Sequence, residues 1–93
     1  MNTLTISNVQ VYLIKEPKGK LRAMARIVLA DQLQLTGLRV YEGVRGPFVS
    51  YPNDPAYKGE DYRQIYHPLT NDLRVAIEKA ILAEYETAVK EEA

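Results

Sequence analysis

The sequence predicts an α+β protein: an antiparallel sheet of about five strands with one C-terminal helix packed on it. Three observations carry that expectation. Apolar residues recur at every second position through much of the first half, as in Leu21, Ala23, Ala25, Ile27 and Leu29. Turn signals at Pro17-Lys18-Gly19 and from Gly43 to Gly46 separate the alternating runs. After Thr70 the period becomes helical, with Leu73, Ile77, Ala80, Ile81 and Ala88 on one stripe and Tyr85 beside it.

The elements follow in order. Val9, Val11 and Leu13 alternate with Gln10, Tyr12 and Ile14, which predicts a first strand. The second carries Leu21 to Leu29 on one face and Arg22, Met24, Arg26 and Val28 on the other, and the two strands read as one long hairpin. Leu33 and Leu35 open a third strand, but the next apolar residues, Leu38 and Val40, break the alternation. Gly37 sits at the break, where a glycine marks a bulge. A three-residue turn at Ala30-Asp31-Gln32 and that bulge set Leu29 opposite Leu33 and Ile27 opposite Leu35. They then set Ala23 opposite Leu38 and Leu21 opposite Val40. One unbulged register cannot satisfy both halves.

Phe48 to Tyr51 predicts a short fourth strand. Asn53 to Asp61 reads as a polar loop, with Pro52 and Pro55 at its start and Gly59 inside it. Tyr62 to Tyr66 predicts a fifth strand, polar enough to be an edge. Thr70 is placed to cap the helix, and Asp72 suits the positive end of its dipole. Glu86 and Lys90 have the spacing of a helical ion pair.

The 93 residues suit one domain, 1–93. A chain this short buries only roughly 60–65% of its unfolded surface, so a second subunit would help it. No apolar run nears the roughly 20 residues that span a bilayer, and no signal-peptide pattern opens the chain. Cysteine is absent, which excludes a disulfide framework, a cysteine zinc cage and a thiol nucleophile. These absences fit a bacterial cytoplasmic protein. The net charge is zero but uneven. From Thr70 onward there are three bases and six acids, against nine and six in the first 69 residues. A nucleic-acid binder is usually basic overall, so any such contact here is confined to a local patch.

The motifs of enzymes are missing. No nucleophile elbow, phosphate loop or His-x-x-x-His pair occurs, and the carboxylates lack metal-ligand spacing. His67, the one histidine, precedes Pro68 and the helix. It has no legible catalytic partner, and a hydrogen bond to backbone at the strand-to-helix corner is the favoured reading. No catalytic residue, metal ligand, cofactor or small-molecule substrate is predicted. In the expected register Arg22 and Arg39 lie opposite each other, away from the aliphatic face, with Arg26 further along. Opposed like charges destabilise a strand pair, so a carboxylate, solvent or a bound anion must compensate. A phosphate backbone is one such anion. Tyr51, Tyr57, Tyr62 and Tyr66 surround the polar loop, with Lys58 and Arg63 among them. They fit packing or a dimer contact better than stacking on nucleic acid.

An ordered set of short motifs runs along the chain. Gly19-Lys20-Leu21-Arg22-Ala23 opens it. Leu38-Arg39-Val40, Glu42-Gly43, Gly46, Phe48-Val49 and Pro52 follow. Gly59-Glu60, Arg63, Ile65 and His67-Pro68 lead into Arg74, Ile77, Ala80, Leu82, Glu84 and Tyr85. Together they resemble the SpoVG family (stage V sporulation protein G). The resemblance implies a small α+β protein that dimerises through its sheet. It implies a regulator that binds DNA and, in some members, RNA, and that influences septation, sporulation or other gene expression. It does not imply an enzyme. After the proline matched by Pro52 many members carry a Lys-Arg pair, where this chain has Asn53-Asp54. The contact candidates are therefore Lys20, Arg22, Arg39, Lys58, Arg63 and Arg74. Gly37, Gly43, Gly46, His67 and Pro68 are the expected structural positions. The alternative is a protein-interaction module of the division machinery with no nucleic-acid contact.

Overall fold

The computed structural model describes residues 5–15, 19–56, 59 and 63–92. Strands β1 (Ile6–Leu13), β2 (Leu21–Leu29), β3 (Leu33–Gly43) and β4 (Gly46–Ser50) precede helix α1 (Asn71–Glu92). The strands form one antiparallel sheet in the order β1-β2-β3-β4, with α1 against one face. Alternation puts Val9, Val11, Ala23, Ala25, Ile27, Leu38, Val40 and Val49 on that face. There they meet Ile77 and Ile81 of the helix in a single aliphatic core. The helix begins where expected, with the Thr70 hydroxyl accepting the Leu73 N–H at 3.2 Å. The helical ion pair is Arg74–Glu78 at 4.0 Å rather than the expected Glu86–Lys90.

The β2–β3 turn forms as predicted. The Gln32 N–H donates to the Leu29 carbonyl at 2.9 Å, and Ala30 and Asp31 both have positive φ, 51° and 55°. Mirror-image hairpin turns need that backbone, which matches the right-handed twist of the strands. The Ser7 hydroxyl braces the turn by accepting the Asp31 N–H at 3.0 Å.

The Gly37 bulge is also present, but the pairing beyond it is corrected. Leu29↔Leu33 and Ile27↔Leu35 stand as expected, followed by Ala25↔Leu38, Ala23↔Val40 and Leu21↔Tyr41. The extra residue lies on β3, so Ala23 meets Val40, two positions further on than the expected Leu38, and Leu21 meets Tyr41, one position beyond the expected Val40. A second bulge on β2, at Arg22, reduces the offset. It was illegible because Leu21 continues the apolar alternation of β2 unbroken. Gly37 has φ 84°, and a Cβ there would stand 3.3 Å from the Pro52 ring. Both the backbone and the close approach therefore call for glycine. The Tyr66 hydroxyl donates to the Thr36 carbonyl at 2.7 Å, satisfying a group beside the bulge.

The sheet has four strands, not five. Of Tyr62 to Tyr66, Tyr62 lies outside the described residues, and the rest form only an isolated bridge, Asn53↔Gln64. Two backbone bonds flank it: the Ile65 N–H donates to Pro52 at 2.7 Å and the Asp54 N–H to Arg63 at 2.6 Å. Proline at 52 and 55 supplies no N–H, so the pairing stops after one bridge.

Candidate nucleic-acid interface

The two bulges decide which side chains share a face. Arg39 is opposite Met24, not Arg22, so the expected like-charge pair does not form. The β2 bulge turns Arg22 toward the helix, where it and Glu42 act on the Tyr85 hydroxyl. That hydroxyl is held above its ordinary pKa by burial first and Glu42 second, with Arg22 opposing. Arg74, in the first turns of α1, sits over the Tyr51 ring at 5.8 Å and beside Glu78. Arg63 is bridged to Asp54 at 2.9 Å, and its hydrogen bond is the chief cause holding that carboxyl below the usual range. Lys20 lies exposed in the turn before β2. Lys58, Tyr57 and Pro17-Lys18 lie outside the described residues. The sequence-derived candidates are thus dispersed. The Asp54 carboxylate offsets the charge of Arg63.

The other positions have structural surroundings. His67 contacts the Pro68 carbonyl through Nδ1 at 3.3 Å, and Pro68 is buried. Gly43 and Gly46 close the β3–β4 turn as partners. Tyr51 is buried and meets Tyr66 edge to face at 6.4 Å. The Tyr51 hydroxyl has no partner at hydrogen-bond geometry. The Glu78 carboxylate lies beside it. Burial pushes Tyr51 up to about 12, aided by Glu78 and opposed by Arg74. Tyr66 is also pushed up to about 12 by burial, with Tyr51 adding. These tyrosines pack and do not form a stacking surface.

The open face of the sheet presents a different set. The register places Asn8, Gln10 and Tyr12 of β1 there, with Leu21, Met24, Arg26 and Val28 of β2. Gln34, Arg39 and Tyr41 of β3 and Phe48 and Ser50 of β4 complete it. Among the described residues no carboxylate belongs to this set, and neither Arg26 nor Arg39 forms a salt bridge. Gln10 Oε1 accepts from the Arg26 Nε–H and from the Tyr12 hydroxyl, the latter at 2.8 Å. The Arg26 guanidinium lies 5.4 Å from the centre of the Tyr12 ring. Tyr41 and Phe48, cross-strand partners, stack at 5.8 Å with an interplanar angle of 22°. Phe48 and Tyr12 remain about half exposed.

Tyr12, Tyr41 and Phe48 were absent from the sequence-derived site, and Arg26 was placed on the arginine face but not among the contact candidates. The signal that could have found them is that no outward position of the four strands is Asp or Glu. An open groove of about 450 Å³ lies elsewhere, between β1 and the end of α1. Glu91 and Glu92 line it beside Lys15, which suits no polyanion. Among the described residues no cluster of His, Asp and Glu could hold a metal, and no helix is long and apolar enough to cross a membrane.

Comparison with known proteins follows the same outline. The sequence profile described as SpoVG matches residues 4–87. The chain is 40% identical over 78 residues to "Putative septation protein SpoVG 2" of Listeria monocytogenes, covering 84% of this chain and 76% of that protein. It is 32% identical over 90 residues to "Putative septation protein SpoVG" of a Thermoanaerobacter species, covering 97% and 96%. The protein of that name in Oceanobacillus iheyensis is 37% identical over 75 residues, covering 81% and 77%. Coverage is high on both sides, so the likeness extends over the sheet and the helix together.

Proposed function

The chain belongs to the SpoVG family, and from that premise we propose that it is a small regulator that binds nucleic acid through the open face of its sheet and influences septation or sporulation gene expression. One observation carries the reading: two arginines and three aromatics, two of them about half exposed, share a face with no carboxylate among the described residues. Such a surface attracts a polyanion even though the chain as a whole is neutral. It also disfavours self-association through this face, because a two-fold contact would bring arginines together without acids to offset them. A homodimer is proposed to form instead along β1. Its outer edge carries neither proline nor charge over Ile6–Leu13, whereas Pro47 blunts β4. Light scattering checks the dimer, and a monomer across the working concentrations overturns it.

The test of binding is an anisotropy titration with nucleic acid at two salt concentrations. Affinity is expected to fall with salt, and Arg39→Gln is expected to reduce the salt slope by about one unit. Arg22→Gln, altering a residue turned toward the helix, is expected to leave that slope unchanged. Absence of binding at low salt would support the second reading, an interaction module of the division machinery. The Asp54–Arg63 pair favours that module, since it offsets charge in the loop.

A further inference from the structure

We propose that the open face selects single-stranded over double-stranded nucleic acid, taking unpaired bases onto the Tyr41–Phe48 pair while Arg26 and Arg39 neutralise the adjoining backbone. The inference rests on the nucleic-acid reading above and names the form of the ligand. In a duplex the base faces are hidden in the stack, so a sheet face meets only phosphates and groove edges, and its aromatics find no π face to stack on. Two arginines supply at most two phosphate contacts, which gives weak duplex binding with a shallow salt slope of about two units. An unpaired base offers a π face, and stacking on an aromatic ring adds a gain that is nearly independent of salt and sequence. A four-stranded sheet with exposed aromatics is an arrangement by which proteins hold two or three unstacked bases.

Three features of the face fit that ligand. The Tyr41 and Phe48 rings stack at 22° toward the β4 edge, and the half-exposed Phe48 ring is the part of this aromatic platform that a base can reach to extend the stack. Gly43 helps to set the platform: a Cβ there would stand 2.9 Å from Phe48 Cε1, so the glycine lets the ring lie where it does. Toward the opposite edge, Asn8, Gln10, Arg26, Val28 and Gln34 line a shallow depression of about 80 Å³. Their amides and guanidinium can donate to and accept from base edges. The face spans four strands, about 14 Å at the usual strand spacing, enough for a short run of bases from the platform to the depression. Its charge leaves an anionic partner as the fitting occupant, and its aromatics make an unpaired strand the fitting anion.

Anisotropy titrations of the full chain with labelled oligothymidylate, oligouridylate and a duplex hairpin of matched length test this. Both single strands are expected to bind at least tenfold more tightly than the duplex. Phe48→Leu, which keeps apolar bulk against Tyr41 but removes the flat ring, is expected to weaken single-strand binding about tenfold and leave the salt slope and duplex affinity unchanged. Phe48→Tyr is expected to restore it. Gly43→Ala, which displaces the ring with no change of charge, is expected to act like Phe48→Leu, with circular dichroism confirming the fold of each variant. Equal affinity for single strand and duplex, or unaltered single-strand affinity in Phe48→Leu while Arg39→Gln lowers the salt slope, overturns the stacking inference and leaves the binding reading standing. No binding of any of the three ligands at low salt overturns both.

Discussion

The two faces of one sheet, built from alternate residues of the same four strands, have opposite physical characters. The covered face is aliphatic: Ala23, Ile27, Leu38 and Val40 are essentially inaccessible and pack against Ile77 and Ile81. The open face holds Arg26, Arg39, Gln10, Gln34 and aromatics that remain partly exposed. One face supplies stability and the other is available for recognition. What separates them is parity, and two bulges reset parity along β2 and β3.

The sharpest way to break this comparison is to truncate one residue on each face. Ile81→Ala is expected to cost about 2–5 kcal/mol, enough to unfold much of a small domain at physiological temperature. Phe48→Ala on the open face is expected to cost about 1 kcal/mol, because the ring is already about half exposed. Urea denaturation of both variants checks the contrast, and equal losses would mean that the open face is covered in solution.

Gly37→Ala probes the boundary between the faces. The left-handed backbone alone costs a residue with a Cβ roughly 1–2 kcal/mol, and contact with Pro52 adds to it. Hydrogen exchange is expected to accelerate at the β2–β3 pairs on either side of the bulge. Retained protection there would show that the bulge tolerates a side chain.

Alkaline titration tests the covered side alone. Tyr51 and Tyr66 have folded-state values raised to about 12 against 10 for the free side chain. The unfolded chain therefore loses these protons first, and stability is full below pH 10 and falls as pH rises toward 12. Tyr51→Phe is expected to flatten that fall and to remove the buried hydroxyl that lacks a partner. Unfolding midpoints measured across the range check the sign.

The smallest effect is expected at the loop. Asp54 has a depressed pKa, so its pairing with Arg63 persists above the free carboxyl value and is lost as pH falls through the folded one. Asp54→Asn is expected to change the melting temperature little, since exposed pairs contribute little. If the loop joins the contact, removing the charge that offsets Arg63 should steepen the salt dependence of binding by up to about one unit. An unchanged slope would confine binding to the open face.

Much of the fold was legible in local patterns. The Thr70 cap, the apolar stripe of α1, the Ala30-Asp31-Gln32 turn and the Gly37 bulge all follow from residue type and spacing. The fifth strand was misread because the alternation around Tyr62 to Tyr66 says nothing about a partner, and the prolines of the loop leave room for one bridge. The arginine pair failed for another reason. The extra residue at the Gly37 bulge lies on β3, which sets Arg39 opposite Met24, and the further bulge at Arg22 leaves no trace in a pattern whose flanking residues are apolar.

By itself the sequence determined the family, the first four strands and the helix. Each of these is a property of single residues and their near neighbours along the chain. Only the tertiary structure decided that Arg22 turns toward the helix and that Arg63 meets Asp54. It also decided that Arg26 and Arg39 share an open face with Tyr41 and Phe48. Those outcomes depend on strand register, and register depends on the sum of bulges, close approaches and cross-strand bonds, which no single segment encodes.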